Sequence, residues 1–258
     1  MGEQLEQNDQ YDQYDENKSS IDNRGLAILG LFMLMGALAI SYGLMSMNGR
    51  SPRVTVKGYA EKNVKSDYAV WRIIVNANST VLSETFSILK QNKERVYKFL
   101  KDNNIPNEQM GETSLFTETI SNYDRNDMPT GAAKAYRMNQ SIVINSKDLD
   151  KIQQLSLQIN DLLSEGIDIN SNPPEFYVSD LGKYKVEMLG EALKDAKLRA
   201  EAMASKTNNS IGSIADAQQG VFQITAVNSN EVSDWGINDI SSIEKTIKSV
   251  VDATFFLK

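Results

Sequence analysis

The 258-residue chain contains no cysteine and no histidine. Without thiols there are no disulfides, thiolate metal sites, iron–sulfur clusters or cysteine nucleophiles. Without imidazole it lacks the usual zinc ligand and the side chain that ordinarily titrates near neutrality. Triads that run through histidine are excluded as well. No Walker A, GxGxxG or GxSxG string occurs. What chemistry remains belongs to carboxylates, lysine or tyrosine. Positive charge is also in deficit, with 27 Lys and Arg against 34 Asp and Glu and a formal charge of −7. Polyanions are held by clustered bases, so nucleic acid is not an expected partner.

One long apolar run is present. Leu26–Met47 holds 22 residues without a charge, and at about 1.5 Å per residue such a helix spans a hydrocarbon core of roughly 30 Å. Signal peptides have a shorter apolar core and a small-x-small cleavage site. Here the run ends in Ser46-Met47-Asn48-Gly49-Arg50, and an uncleaved single-pass anchor over residues 25–47 is expected. Within it, Ala39 and Gly43 form a small-x-x-x-small pair, a weak signal for helix association. Residues 1–24 carry seven acids and two bases, a net −5 that leaves only −2 for the rest. Low apolar content and charge repulsion predict a disordered acidic tail. Two basic residues precede the span, Lys18 and Arg24, whereas Arg50, Arg53, Lys57, Lys62 and Lys65 follow it. Read literally, the positive-inside rule puts the large domain in the cytoplasm, but long domains cross largely regardless of flanking charge. A short tail, one apolar helix and a large C-terminal domain is also the plan of a signal-anchor.

After a linker at 48–53, residues 54–258 are enough for a substantial core. Val54 and Val56 open a strand, and Tyr68–Asn78 alternates Ala69, Trp71, Ile73, Val75 and Ala77 on one face. Trp71 is thus expected in the core. An amphipathic helix follows with Leu82, Phe86, Leu89, Val96, Phe99 and Leu100 inward, ending before Ile105-Pro106. Strands are predicted at Gly111–Ile120 and Ala135–Asn145, with Ser121–Gly131 as a long hairpin loop. A helix over Leu149–Ser164 with Ile152, Leu155, Ile159, Leu162 and Leu163 inward stops at Gly166. Two short extended pieces, Ile167–Asn170 and Glu175–Ser179, lead to the longest helix, Leu181–Thr207. Its inner face is read as Val186 and Leu189, then Ala192, Ala196, Ala200 and Ala204, small residues that permit close packing. Strands Ser213–Gln218, Val221–Ala226 and Lys245–Leu257 finish the chain. The predicted class is α+β, mainly antiparallel sheet with three helices in the soluble part, preceded by one transmembrane helix.

Two acid groups invite a catalytic reading: Glu112, Glu118 and Asp124 around one hairpin, and Glu175 with Asp180 beside another strand. A glycosidase needs two carboxylates about 5–10 Å apart across a cleft, and acids beside turns are mostly solvated. Asp124-Arg125-Asn126-Asp127 lacks the rest of an EF-hand loop. No catalytic residue, metal ligand or cofactor is therefore assigned. The candidate interaction surface is the polar stretch Asn228–Ser242, which carries Val232, Trp235, Ile237 and Ile240; an exposed Trp suits an interface anchor. The Ser121–Gly131 loop is a second candidate.

Several local strings resemble the SIMPL domain family over about Val54–Leu257. Val54-Thr55-Val56-Lys57-Gly58-Tyr59-Ala60 is similar to its entry strand, and Val64-Lys65-Ser66-Asp67-Tyr68-Ala69 to a bend carrying an acid. The strongest string is Glu191-Ala192-Leu193-Lys194-Asp195-Ala196-Lys197-Leu198-Arg199-Ala200-Glu201-Ala202-Met203-Ala204. Ile211-Gly212-Ser213-Ile214 and Val250–Leu257 resemble the helix-to-strand junction and the closing strand. The resemblance implies a bacterial envelope protein, exported or membrane-anchored, in a family where some members form ring-like oligomers and no catalytic constellation is agreed. It places the C-terminal domain outside the inner (cytoplasmic) membrane, in the periplasm. The expected function is that of a membrane-anchored, homo-oligomeric, non-enzymatic envelope protein acting through its surfaces on an envelope partner, in envelope integrity or stress. The alternative is a carboxylate-based hydrolase of an envelope polymer.

Overall fold

A computed structural model describes residues 23–47, 52–123 and 128–258. The acidic tail before Asn23, most of the linker and the Asp124–Asp127 string lie outside the described residues. Two units are distinguished, Met1–Pro52 and Arg53–Lys258.

In the first unit, α1 (Asn23–Met47) is a single helix. Its stretch Arg24–Met45 is long and apolar enough to cross a membrane. Every side chain described on it is exposed.

The second unit runs β1 (Arg53–Lys65), β2 (Tyr68–Ser79), α2 (Leu82–Asp102), β3 (Met110–Glu112), β4 (Phe116–Tyr123), β5 (Pro129–Ser146), α3 (Leu149–Gln158), β6 (Ile169–Ser171), β7 (Glu175–Tyr177), α4 (Leu181–Ser205), β8 (Ile211–Gln219), β9 (Gln223–Ala226) and β10 (Glu244–Leu257). The class is α+β with antiparallel sheets, as the pattern predicts, but the strands divide into two sheets. In one, β10 is central, with β1 along one side and β8 and β9 sharing the other. In the other, β2 and β5 are central, flanked by β3 and β4 beyond β5 and by β6 and β7 beyond β2. Helices α2 and α3 pack on the second sheet, and α4 lies across β1 and β10.

The alternation along β2 fills the larger core. Trp71, Ile73 and Val75 are fully buried there with Leu100, Ile142 and Ile152. The Trp71 indole N–H is not orphaned, since it donates to Ser171 Oγ at 3.1 Å. Helix α2 sits rotated from the expected face. Leu82 and Phe86 are exposed, while Thr85 and Asn92 point inward. Both polar side chains are satisfied locally: Thr85 donates to the Val81 carbonyl at 2.9 Å, and Asn92 to the Asn76 carbonyl at 2.9 Å. Leu163 is exposed as well, because the helix tightens to 3-10 over Ile159–Glu165 and shifts its facing residues. Gly166 then ends it at φ 80°, as expected of a left-handed cap.

Helix α4 buries Met188, Ala192, Ala196, Ala200 and Ala204. Val186, expected inward, is exposed, because the four-residue register runs back from Ala192 to Met188. The predicted strand Gly111–Ile120 is interrupted by Thr113–Leu115, where the Thr113 hydroxyl and carbonyl bond to the Ser141 N–H and the Gln140 side chain. Much of the expected Ser121–Gly131 loop is strand, with Ser121 opposite Ala133 and Tyr123 opposite Pro129. Two residues, Ser66 and Asp67, carry the chain between the sheets. Their N–H groups donate to the carbonyls of Ile243 and Tyr177, each at 2.9 Å.

Candidate interaction surfaces

Beyond β9 the chain folds back as a strap, 228–243, along the outer margin of the first sheet. Ile224 N–H donates to the Ile237 carbonyl at 2.7 Å, and Asp239 N–H to the Ile224 carbonyl at 2.9 Å. This makes a short parallel bridge between Ile224 and Asn238. The Gln223 amide braces the strap twice, donating to the Ser233 carbonyl at 2.6 Å and accepting from Ile237 N–H at 2.8 Å. Farther on, the Ile240 carbonyl accepts from Phe176 N–H at 2.7 Å, which links the strap to the second sheet.

The four apolar residues of this stretch separate into two roles. Ile237 and Ile240 are half-buried in the strap's attachment. Val232 and Trp235 project into solvent, Trp235 with 95% of its surface exposed. Glu231, before Val232, and Asp234, before Trp235, are exposed as well. Val221 lies beside the same turn, its Cγ1 next to Gly236.

Under the strap lies a buried lysine. Lys245 is 2% exposed and donates to the Asp239 carbonyl. Its Nζ is 3.9 Å from Asp239 Oδ2, a buried oxygen without a hydrogen-bond partner. Burial pulls the Lys245 pKa below the ordinary value, against the pull of Asp239. Burial would raise the Asp239 carboxyl, but bonds from Ser241 and Ser242 and the Lys245 charge hold it below the usual range. Lys245 shares the alternation of Ile247 and Val251, which points it inward, although a lysine ordinarily reads as surface.

On the opposite margin of that sheet, no described strand pairs with the outer edge of β1. Its middle amide is covered from α4: Tyr59 N–H donates to Asp195 Oδ2 at 2.8 Å, and Arg199 Nε donates to the same oxygen at 2.7 Å. The Tyr59 bond and the Arg199 charge hold the Asp195 carboxyl below its ordinary pKa although burial works the other way. A side-chain cap of this kind protects an edge from unspecific strand pairing. Two grooves flank this point between β1 and α4. One, about 480 Å³, is lined by Glu61, Glu187, Glu191 and Asp195 among others. The other, about 440 Å³, is lined by Thr55, Val56, Lys57, Arg199, Ala202 and Met203.

Each described acid singled out for catalysis has a bonding partner within the domain. Glu112 accepts from Lys93 at 2.7 Å, Tyr97 at 2.6 Å and Gln140 at 3.0 Å. Burial would raise its pKa, but these donors hold it low. Glu118 pairs with Arg137 at 3.1 Å. Glu175 accepts from Tyr177 at 2.5 Å, and Asp180 caps α4 through Lys183 N–H. Asp124 lies outside the described residues. Among the described residues no group of three or more acids gathers as for a metal ion.

An apolar N-terminal helix followed by a two-sheet α+β domain, with an alanine-faced helix across one sheet, defines the class. The family model SIMPL, described as a protein of unknown function (DUF541), matches residues 54–255, and the chain belongs to that family. No curated protein matches the chain.

Proposed function

We propose that the protein is a membrane-anchored, homo-oligomeric envelope component that works through its surfaces rather than by catalysis, with the SIMPL domain on the periplasmic side of the inner membrane. The observation that carries the reading is Trp235, 95% exposed on a loop fixed by Gln223 and by the bridge at Ile224. A fully exposed indole beside the exposed Val232 suits an interface anchor. The unpaired outer edge of β1 supplies a second surface of the same domain. The non-catalytic side is supported by Glu112, Glu118, Glu175 and Asp180, each held by a structural partner. The resemblance to exported and anchored envelope proteins supports the orientation, and the apolar Arg24–Met45 stretch supports the anchor. Such a component would bind a further envelope protein and contribute to envelope integrity or stress tolerance.

Two measurements on the full chain test this reading. Protease added to intact spheroplasts is expected to digest the C-terminal domain; protection would put the domain in the cytoplasm. Light scattering of the detergent-extracted protein is expected to show a multimer. A monomer at every concentration would overturn the oligomeric part.

A further inference from the structure

The exposed loop and the two grooves belong to one rigid domain but cannot meet within it. The strap carrying Trp235 extends the β9 margin of the first sheet, whereas β1 and the adjoining grooves lie on the opposite margin. The strand columns between them put the two margins roughly 14 Å apart at the usual spacing of about 4.8 Å. A knob and a receptor on opposite margins of one molecule are the elements of a heterologous contact, which repeats into rings or filaments.

Charge decides between the grooves. The knob is acidic, Val232 and Trp235 being interleaved with Glu231 and Asp234. The larger groove presents Glu61, Glu187, Glu191 and Asp195 against Lys62 and Lys194, a lining that stays net acidic and disfavours it. The smaller groove offers two cations, Lys57 and Arg199, with no acid in its lining, over a floor of Val56, Ala202 and the exposed Met203. At about 440 Å³ it is a shallow, open depression, wide enough to receive one side chain. Lys57 and Arg199 pair with Asp252 and Asp195 in the free domain. Both cations are more than half exposed, at 73% and 56%, although Asp252 and Asp195 are less so, and solvent-screened pairs of that sort are weak enough to exchange partners. An indole seated there would cover Met203 and stack against the Arg199 guanidinium.

We propose that the Trp235 loop of one copy docks in the Lys57–Arg199–Met203 groove, between β1 and α4, of a second copy. The proposal rests on the oligomeric reading above and names its contact. Glu231 and Asp234 face the two cations, Trp235 fills the groove, and the contact runs head to tail.

The absence of native cysteine makes the test direct. Full-length Trp235→Cys and Met203→Cys chains are prepared singly in detergent, then mixed under mild oxidation. Head-to-tail docking predicts a disulfide-linked pair in the mixture and none in either chain alone. Cross-linking of Trp235→Cys with itself would mean a two-fold contact and overturn the proposal. No cross-link in a mixture that still scatters as a multimer would overturn this contact and leave the oligomeric reading intact. A monomer throughout would remove both. As a second measurement, Trp235→Ala is expected to weaken association by about 30-fold or more, the mark of a hot spot, with an unchanged melting temperature. Arg199→Glu is expected to weaken it too, with recovery when mixed with Asp234→Lys chains. Unaltered association in Trp235→Ala, or no recovery in the charge swap, counts against the docking.

Discussion

The carbonyl oxygen of Ala192 lies 2.0 Å from the place a β-carbon on Gly58 would occupy, and Ala196 Cβ lies 2.7 Å from it. Helix α4 thus rests directly on the backbone of β1, and glycine is the only residue that fits under it. The alanines and the glycine are one device seen from two elements.

Gly58→Ala is therefore expected to destabilise the protein by about 1–3 kcal/mol, since the obstructing atom is backbone and α4 must lift. For a domain of this size that corresponds to roughly 2–4 °C per kcal/mol in a thermal melt. Gly190→Ala, in the same helix with nothing within 4 Å of the added carbon, is the control and should melt like the parent or above it. Equal melting of the two variants would contradict the close approach.

Breaking the buried pair at Asp239 and Lys245 should be costly in one direction only. Lys245→Ala leaves Asp239 Oδ2 buried without its cation and should cost about 3–5 kcal/mol in denaturant unfolding. The double variant Asp239→Asn, Lys245→Met should lose clearly less than the two single changes added together. Simple additivity would mean that the two groups do not interact.

Asp195 ties stability to acid. Its folded pKa is lowered, chiefly by the Tyr59 N–H and, against burial, by Arg199. A depressed carboxyl contributes stability that is present above its unfolded value near 3.8 and lost as pH falls through the folded value. Asp195→Asn should therefore narrow the loss of stability between neutral pH and pH values below that point, measured by unfolding across the acid range. An identical acid profile would show that the cap carries no charge-dependent stability.

Glu112 and Tyr97 supply an optical readout. The Tyr97 hydroxyl is pushed far above its usual value, first by burial, then by its bond to Glu112 and the carboxylate charge. In Glu112→Gln the charge goes and burial stays, so one tyrosine should ionise at lower pH in an ultraviolet titration while remaining above the ordinary value near 10. Tyr59, raised to about 12 by burial and Glu61, should not move.

Sequence by itself determined the elements whose periodicity is enforced by one partner. The β2 alternation, the alanine face of α4 and the uncharged run of α1 each state which side meets an apolar phase, because a single-period pattern is satisfied by one orientation. The same strings marked the family. Acids at turns were legible as acids but not as partners: Glu112 meets Lys93 from α2 and Gln140 from β5, and no local spacing predicts that. The division into two sheets was hidden because antiparallel strands have the same pattern whichever neighbour they choose. Phe86 and Val186 were misread as inward, because periodicity does not tell a wide apolar stripe from the narrower part of it that touches the core. Tertiary structure alone decided the pairing of Lys245 with Asp239, the separation of Trp235 from Ile237 and Ile240, and the placement of knob and groove on opposite margins. Each depends on contacts that local spacing does not encode, and only the folded chain brings the groups to one side or keeps them apart.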